Sequence, residues 1–190
     1  MSTTTAPAET LPASIDECLT ALEAALLYAL RGWCVFPVGK NKRPRIAKED
    51  GGNGFRDATT DLAQIRAWWT TFPDAQIGVA ADMSGLLGID LDQRPAEGKD
   101  GIATFAAWRG LNSDGADLVA ATPSGGRHLI YARPAGATIS NLEGIDTAGR
   151  SSQKTGVDTR SDGYFIAPSP ASPGREWIIG EPVPAAELSP

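Results

Sequence analysis

Leu19, Leu22, Leu26, Leu27 and Leu30 recur at helical spacing, and Gly32 closes the run. Ser14-Ile15-Asp16-Glu17 fits a capping box at the start of that helix, with Ser14 as N-cap and Glu17 reaching back. Residues 33–38 predict a strand, stopped by Gly39. Thr60 or Asp61 caps a second amphipathic helix that runs to about Thr71, and Leu62, Ile65, Trp68, Trp69 and Phe72 form its apolar face. The two tryptophans fit burial at that spacing better than base stacking. Pro73 ends the helix, and short strands follow at 77–80 and 86–91. A third helix lies within 98–110, with Ile102, Phe105, Ala106 and Trp108 as apolar candidates. Beyond it the pattern turns to strands at 118–122, 128–132, 156–160, 164–167 and 176–179. Pro168, Pro170 and Pro173 break up the end. Helices crowd the first half and antiparallel strands the second, an α+β pattern.

Composition narrows the function. The 190 residues are 42% hydrophobic, enough for one generous domain or two small lobes around a cleft. No apolar run approaches the ~20 residues of a membrane helix. Residues 1–12 are Thr/Ala/Pro-rich and lack the basic start and apolar stretch of a signal peptide, so 1–13 reads as a disordered lead-in and the setting as cytoplasmic. Two cysteines, Cys18 and Cys34, and one histidine are too few for a zinc knuckle or ribbon, so any metal is expected on oxygen and no zinc is expected. A net charge of −6 argues against a protein that simply coats nucleic acid. The dense basic run, Lys40, Lys42, Arg43, Arg45 and Lys48, lies in a Gly/Pro loop and reads by composition alone as solvated.

Three segments carry chemistry. Asp90 and Asp92 end an apolar strand, and strand alternation sends both side chains to one side. Two adjacent carboxylates repel unless a cation sits between them, and Mg²⁺ or Mn²⁺ suits such oxygens. Nucleotidyl transfer, sugar transfer and phosphoryl transfer through an aspartyl nucleophile all use a D-x-D. Gln93 and Arg94 disfavour the last, and two Asp capping strand-end turns is the bland alternative. Next comes Thr122-Pro123-Ser124-Gly125-Gly126-Arg127-His128, where glycines let backbone approach a ligand and Ser124, Arg127 and His128 offer donors suited to triphosphate oxygens. It is not a P-loop, and an ordinary hairpin turn with a structural histidine is the alternative. In the third segment, 156–164, Asp158 and Arg160 share a face of a strand, and Asp162-Gly163 reads as a hairpin turn into Tyr164. Asp158 is a candidate third carboxylate, with Asp146 and Asp162 its rivals by residue type.

In order and spacing these segments resemble the bifunctional primase–polymerase domains of plasmids and phages, within the archaeo-eukaryotic primase superfamily. The resemblance spans about residues 20–180. Ala29 through Val38, then Lys40 to Pro44, resemble the family's opening helix, strand and Lys-Pro loop. Ala58-Thr59-Thr60-Asp61 with Trp68-Trp69 resemble its second helix. Asp90-Leu91-Asp92 resembles the acidic motif, 124–128 the Ser/Gly/His motif, Val157-Asp158-Thr159-Arg160 the third carboxylate, and Ala167-Pro168-Ser169-Pro170 the closing Pro-rich turn.

The resemblance implies two lobes, an N-terminal α/β part and an RRM-like antiparallel sheet, with the active-site cleft between them in a catalytic domain at 14–182. It implies that Asp90, Asp92 and Asp158 bind two Mg²⁺ or Mn²⁺ ions. His128 would contact the phosphates of the incoming nucleotide, with Ser124, Gly125, Gly126 and Arg127, and with Lys42 or Arg160 assisting. The expected activity is template-dependent nucleotidyl transfer, a DNA polymerase with primase activity, in plasmid or phage DNA replication. Its partners would be a single-stranded DNA template, a primer and a dNTP or rNTP. A downstream helical or helicase module in a longer parent protein is expected, with 183–190 as tail or linker. Two competing expectations are a non-catalytic replication-initiator DNA-binding module and a D-x-D glycosyl- or phosphotransferase.

Overall fold

A computed structural model of the chain describes residues 11–109, 116, 118–137, 139–145 and 155–180. The lead-in up to residue 10, the Trp108 side chain, Asp146 and the tail at 183–190 lie outside them. In chain order the elements are α1 (Ala21–Leu30), β1 (Val35–Val38), α2 (Leu62–Thr71), β2 (Gln76–Ala80), β3 (Leu86–Leu91), β4 (Gln93–Arg94) and β5 (Lys99–Asp100). Then follow α3 (Gly101–Arg109), β6 (Leu118–Ala121), β7 (Arg127–Ala132), β8 (Val157–Arg160), β9 (Tyr164–Ala167) and β10 (Trp177–Ile179). The strands form a three-stranded sheet in the order β1-β2-β9, a five-stranded sheet in the order β10-β6-β7-β3-β8, and the small β4-β5 ribbon. Every ladder among them is antiparallel, so the fold is α+β.

Strand alternation divides the apolar residues between two faces of the larger sheet. Leu86, Leu118 and Ile130 join the main core with Val35, Ile77, Val79 and Phe165 of the smaller sheet and with Leu26, Ile65 and Trp69 of α1 and α2. On the opposite face Leu91, Val119, Leu129 and Val157 pack with Phe105 of α3. The two sheets therefore share one core. The smaller sheet is not contiguous in sequence, because β9 returns from the second half to pair with β2.

That return is fixed by a buried aromatic hub. Tyr28 of α1 is fully buried and stacks on Trp33, with centroids 5.3 Å apart. Its hydroxyl donates to Pro168 O at 2.7 Å, just after β9, and accepts from Trp177 Nε1 of β10 at 2.9 Å. One side chain thus ties the first helix to both late strands.

Two local expectations change. The capping box that starts α1 is Thr20 with Glu23, six residues later than expected: Glu23 N donates to Thr20 Oγ1 at 3.2 Å, and Thr20 N to Glu23 Oε2 at 2.9 Å. Ser14 to Glu17 instead belong to a preceding turn, closed by Cys18 N donating to Ile15 O, which buries Ile15 and Cys18. Nor is 161–163 a hairpin turn, since β8 pairs with β3 and β9 with β2. Asn141 Oδ1 accepts from Ser161 N at 2.8 Å and Asp162 N at 3.0 Å, which holds the chain as it crosses from one sheet to the other.

Tyr28→Phe keeps the ring but strands a buried carbonyl and an indole N–H, so it should cost about 1–3 kcal/mol. Urea unfolding would check this, and an unchanged midpoint would mean the hub is held by packing alone.

Candidate active site

The register of three strands builds the centre. In β3, Asp90 pairs directly with His128 of β7 on one side and with Asp158 of β8 on the other. Directly paired residues of antiparallel strands project to the same face. His128, Asp90 and Asp158 thus form one transverse row across the sheet, on the face that looks toward β9. His128 is 9% exposed and its ring meets Phe165 of β9 edge-on at 6.2 Å. Its Nε2 lies 3.3 Å from Asp90 Oδ1. Two residues back along β3, Gly88 pairs with Arg160 and lines the cleft floor, where an added Cβ would fall 3.4 Å from Arg160 Cβ. Arg160 Nη2 bonds Asp158 Oδ2 at 2.9 Å, and Asp158 Oδ1 accepts from Gly144 N at 2.8 Å.

Asp92 lies just past the end of β3 and is placed by its backbone. Its N–H donates to Gly156 O at 2.7 Å, and its carbonyl accepts from Gly101 N at 2.9 Å. A Cβ on Gly101 would fall 2.2 Å from Gly156 O, so only glycine permits this clasp between the α3 start and the β8 approach. The Asp92 side chain bonds Arg94 at 3.0 Å.

The Thr122–Gly126 turn joins β6 to β7 beside the same end of β3. Gly125 has φ +82°, and a Cβ on Gly126 would lie 2.3 Å from Leu91 O. Ser124 is exposed, its Oγ 3.1 Å from Thr122 Oγ1. Arg127 pairs with Leu91 and Ala121, on the α3 side of the sheet. The expected grouping of Arg127 with His128 is not formed, because consecutive strand residues face opposite ways.

Between the sheets lies a cleft of about 350 Å³, lined by Asp90, His128, Arg160 and Lys42 among others, with Phe55 and Tyr164 as aromatic walls. A space of this size suits a small ligand. Lys42 reaches it from the basic loop with a left-handed φ of 61°. Tyr164 Oη holds that loop by donating to Lys42 O at 2.5 Å. Lys40, Arg43 and Arg45 instead line a separate recess with Phe72, and Lys48 is exposed in a short 3₁₀ turn.

Sequence reading missed one cleft residue of consequence, Arg175, which enters ahead of β10. Its signal was faint: an arginine two residues before Trp177, on a strand approach where the two would share a face. Asn141 from a loop and Phe55 from a short 3₁₀ helix (Gly54–Asp57) also line the cleft, with no periodicity to announce them.

The electrostatics separate the carboxylates. Burial pushes Asp90 up, but the hydrogen bond from His128 and the charges of His128, Arg160 and Arg175 outweigh it and leave Asp90 below its usual range. Asp92 is raised, first by burial and then by the negative charges of Asp90 and Asp158, against the pull of Arg94 and Lys99. Burial lowers the Arg175 guanidinium, with Asp90 opposing.

Among the described residues no three Asp, Glu, His or Cys side chains close around one point as a ready metal cage. Asp90, Asp92 and Asp158 are instead paired with His128, Arg94 and Arg160. Their chemistry does fit a hard divalent cation: all three offer carboxylate oxygens, and burial followed by repulsion from Asp90 and Asp158 raises Asp92.

No curated protein matches the chain. A family model does, that of the bifunctional DNA primase/polymerase N-terminal domain, over residues 25–190. No helix among the described residues is long and apolar enough to cross a membrane. With most of its length matched, the chain belongs to the bifunctional DNA primase/polymerase (Prim-Pol) family.

Proposed function

We propose that this cleft carries out template-dependent nucleotidyl transfer, extending a primer on single-stranded DNA with dNTPs or rNTPs during plasmid or phage replication in the cytoplasm. The observation that carries the reading is the row His128-Asp90-Asp158 beside a cleft flanked by Lys42 and Arg160. Family membership supports the reaction class. A pure DNA-binding module gains nothing from clustered carboxylates near phosphates. A D-x-D glycosyltransferase has no use for Asp158 or for a lysine delivered into the same cleft.

Asp90, Asp92 and Asp158 would hold two Mg²⁺ or Mn²⁺ ions. When bound, the ions supply charge neutralisation and Lewis acidity at the reacting phosphate. His128 holds Asp90 in place and presents its other nitrogen toward the nucleotide. Lys42 and Arg160 attract and orient the triphosphate. Arg160 would exchange its bond to Asp158 for one to phosphate, freeing that carboxylate as substrate enters. Gly125 and Gly126 keep the β6–β7 turn close to the end of β3, where Ser124 adds a hydroxyl. Synthesis of primers from nothing would draw on a downstream helical or helicase module.

Asp90→Asn and Asp158→Asn should each lower primer extension with Mg²⁺ or Mn²⁺ by at least about 100-fold, as loss of a metal-holding or charge-stabilising group does. Circular dichroism should show the fold retained, and extension at near wild-type rate by either variant would reject the assignment. His128→Ala should raise the nucleotide KM about 10-fold, the scale of one charge-assisted hydrogen bond. Steady-state kinetics with an unchanged nucleotide KM would remove that role. Asp92 gives a pH signature. Its folded pKa is raised, so the stability it contributes is present below the unfolded carboxylate pKa and is lost as pH rises through the folded value. Asp92→Asn should therefore unfold at higher temperature than wild type near neutral pH, with the advantage vanishing in acid. Added Mn²⁺ should stabilise wild type more than the variant. Melting curves across pH with and without Mn²⁺ would expose the opposite order.

A further inference from the structure

A guanidinium carries five N–H donors and stays charged at any ordinary pH. Sealing one from solvent without a partner costs stability, and native proteins seldom leave it so. Arg175 Nη1 is sealed in this way, with no hydrogen-bond partner among the described residues. Among the described residues Arg31 Nη1, Trp33 Nε1 and His128 Nδ1 are also sealed without a partner, and of these nitrogens those of His128 and Arg175 belong to residues that line the one cleft. The carboxylate that lines it, Asp90, already receives His128 Nε2.

The backbone around Arg175 is built to hold it there. Ser172 Oγ is buried and donates to Ala167 O at 3.0 Å, and Arg175 N donates to Ser172 O at 3.1 Å. Gly174 has φ +77°, and a Cβ added there would fall 3.5 Å from Pro123 of the β6–β7 turn. Ala121 N then donates to Glu176 O at 2.8 Å, and Trp177 pairs with Ala120, which itself pairs with His128. Two residues before Trp177, Arg175 comes to the His128 face, one step nearer the Ser124 turn.

We propose that Arg175 binds the polyphosphate tail of the incoming nucleotide and makes the cleft select triphosphates over monophosphates; this rests on the nucleotidyl-transfer reading above. Arg175, Arg160 and Lys42 line the cleft with Asp90, and Arg160 is also bonded to Asp158, which makes three cations to two carboxylates. That excess matches a compact polyanion. Arg175 fills the place that Arg127 vacates by facing α3. A fork geometry suits paired phosphate oxygens, which a lysine meets only as a point charge.

The test uses the whole chain with Arg175→Ala and Arg175→Lys. Melting curves in metal-free buffer, with inorganic tripolyphosphate and with inorganic phosphate, read anion binding without catalysis. Single-nucleotide primer extension reads KM and kcat. Arg175→Ala should raise the dNTP KM about 10- to 100-fold, the range of a charge-assisted hydrogen bond, with kcat within about threefold. It should abolish the tripolyphosphate-induced rise in melting temperature and leave the ligand-free melting temperature no lower than wild type. Arg175→Lys should recover part of both effects. An unchanged dNTP KM would overturn the proposal, as would a rise confined to the primer–template KM, which would give Arg175 to the DNA backbone. So would a lowered ligand-free melting temperature with the tripolyphosphate shift intact, the mark of a structural role. If wild type extends no primer, the nucleotidyl-transfer reading fails on its own. The melting curves then decide whether Arg175 holds a polyphosphate.

Discussion

Antiparallel register is the constraint on which the site depends. Asp90 has a ladder neighbour on each side, and the pairing makes them His128 and Asp158. A slip of one residue in β7 would bring Arg127 opposite Asp90 and turn His128 into the α3 core. The apolar residues forbid that slip. Leu129 belongs to the α3 side and Ile130 to the main core, and neither face would accept the polar residue that a shift delivers. The hydrophobic pattern that stabilises the sheet therefore also sets which charges meet. Two carboxylates paired across strands are costly by themselves, and His128 and Arg160 offset that cost on either flank.

The end of the row is set by backbone packing. Asp92 is beyond the regular ladder, so alternation alone does not place it. Gly101 and Gly156 let the α3 start and the β8 approach close directly on its peptide groups, and Gly126 lets the neighbouring turn press on Leu91. These contacts fix the Asp92 backbone, while its side chain depends on its own partners. It is raised by burial and by its two acidic neighbours, and it leans on the half-exposed Arg94, a weak partner in solvent. On the proposed two-metal reading, fixed peptides and a carboxylate that is uncomfortable alone would favour uptake of a cation.

Much of this was legible in the sequence where periodicity carries information. β3 falls on the expected residues, Asp61 caps α2, and the late strands lie within a residue or two of their places. Where reading failed, parity or competition between local signals was the cause. Arg127 looked like a partner of His128 because the two are adjacent, but in a strand adjacency means opposite faces. Two S/T-x-x-E boxes, at 14–17 and 20–23, stand near the start of the first helix, and the one next to the alanine-rich run won. Asp162-Gly163 has the composition of a hairpin, yet whether a turn joins neighbours in one sheet or crosses between two depends on Asn141, twenty residues upstream. Arg175 was missed because its position depends on a strand pairing across the chain.

The acidic net charge and the cationic cleft answer to different distances. At the surface, charges spaced beyond roughly 8–10 Å are screened by physiological salt, so −6 spread over the chain exerts little force on a bound phosphate. Inside the cleft, where water is partly excluded, Lys42, Arg160 and Arg175 would act on a ligand at close range and with less screening. The same partition explains how carboxylates and cations coexist there. The acids sit in the sheet's own row, held by register, while the bases arrive on a loop, on a sheet edge and on the approach to β10. Arg160 is the exception: it shares the edge strand with Asp158 and bonds it at 2.9 Å, so on that flank acid and base already offset each other.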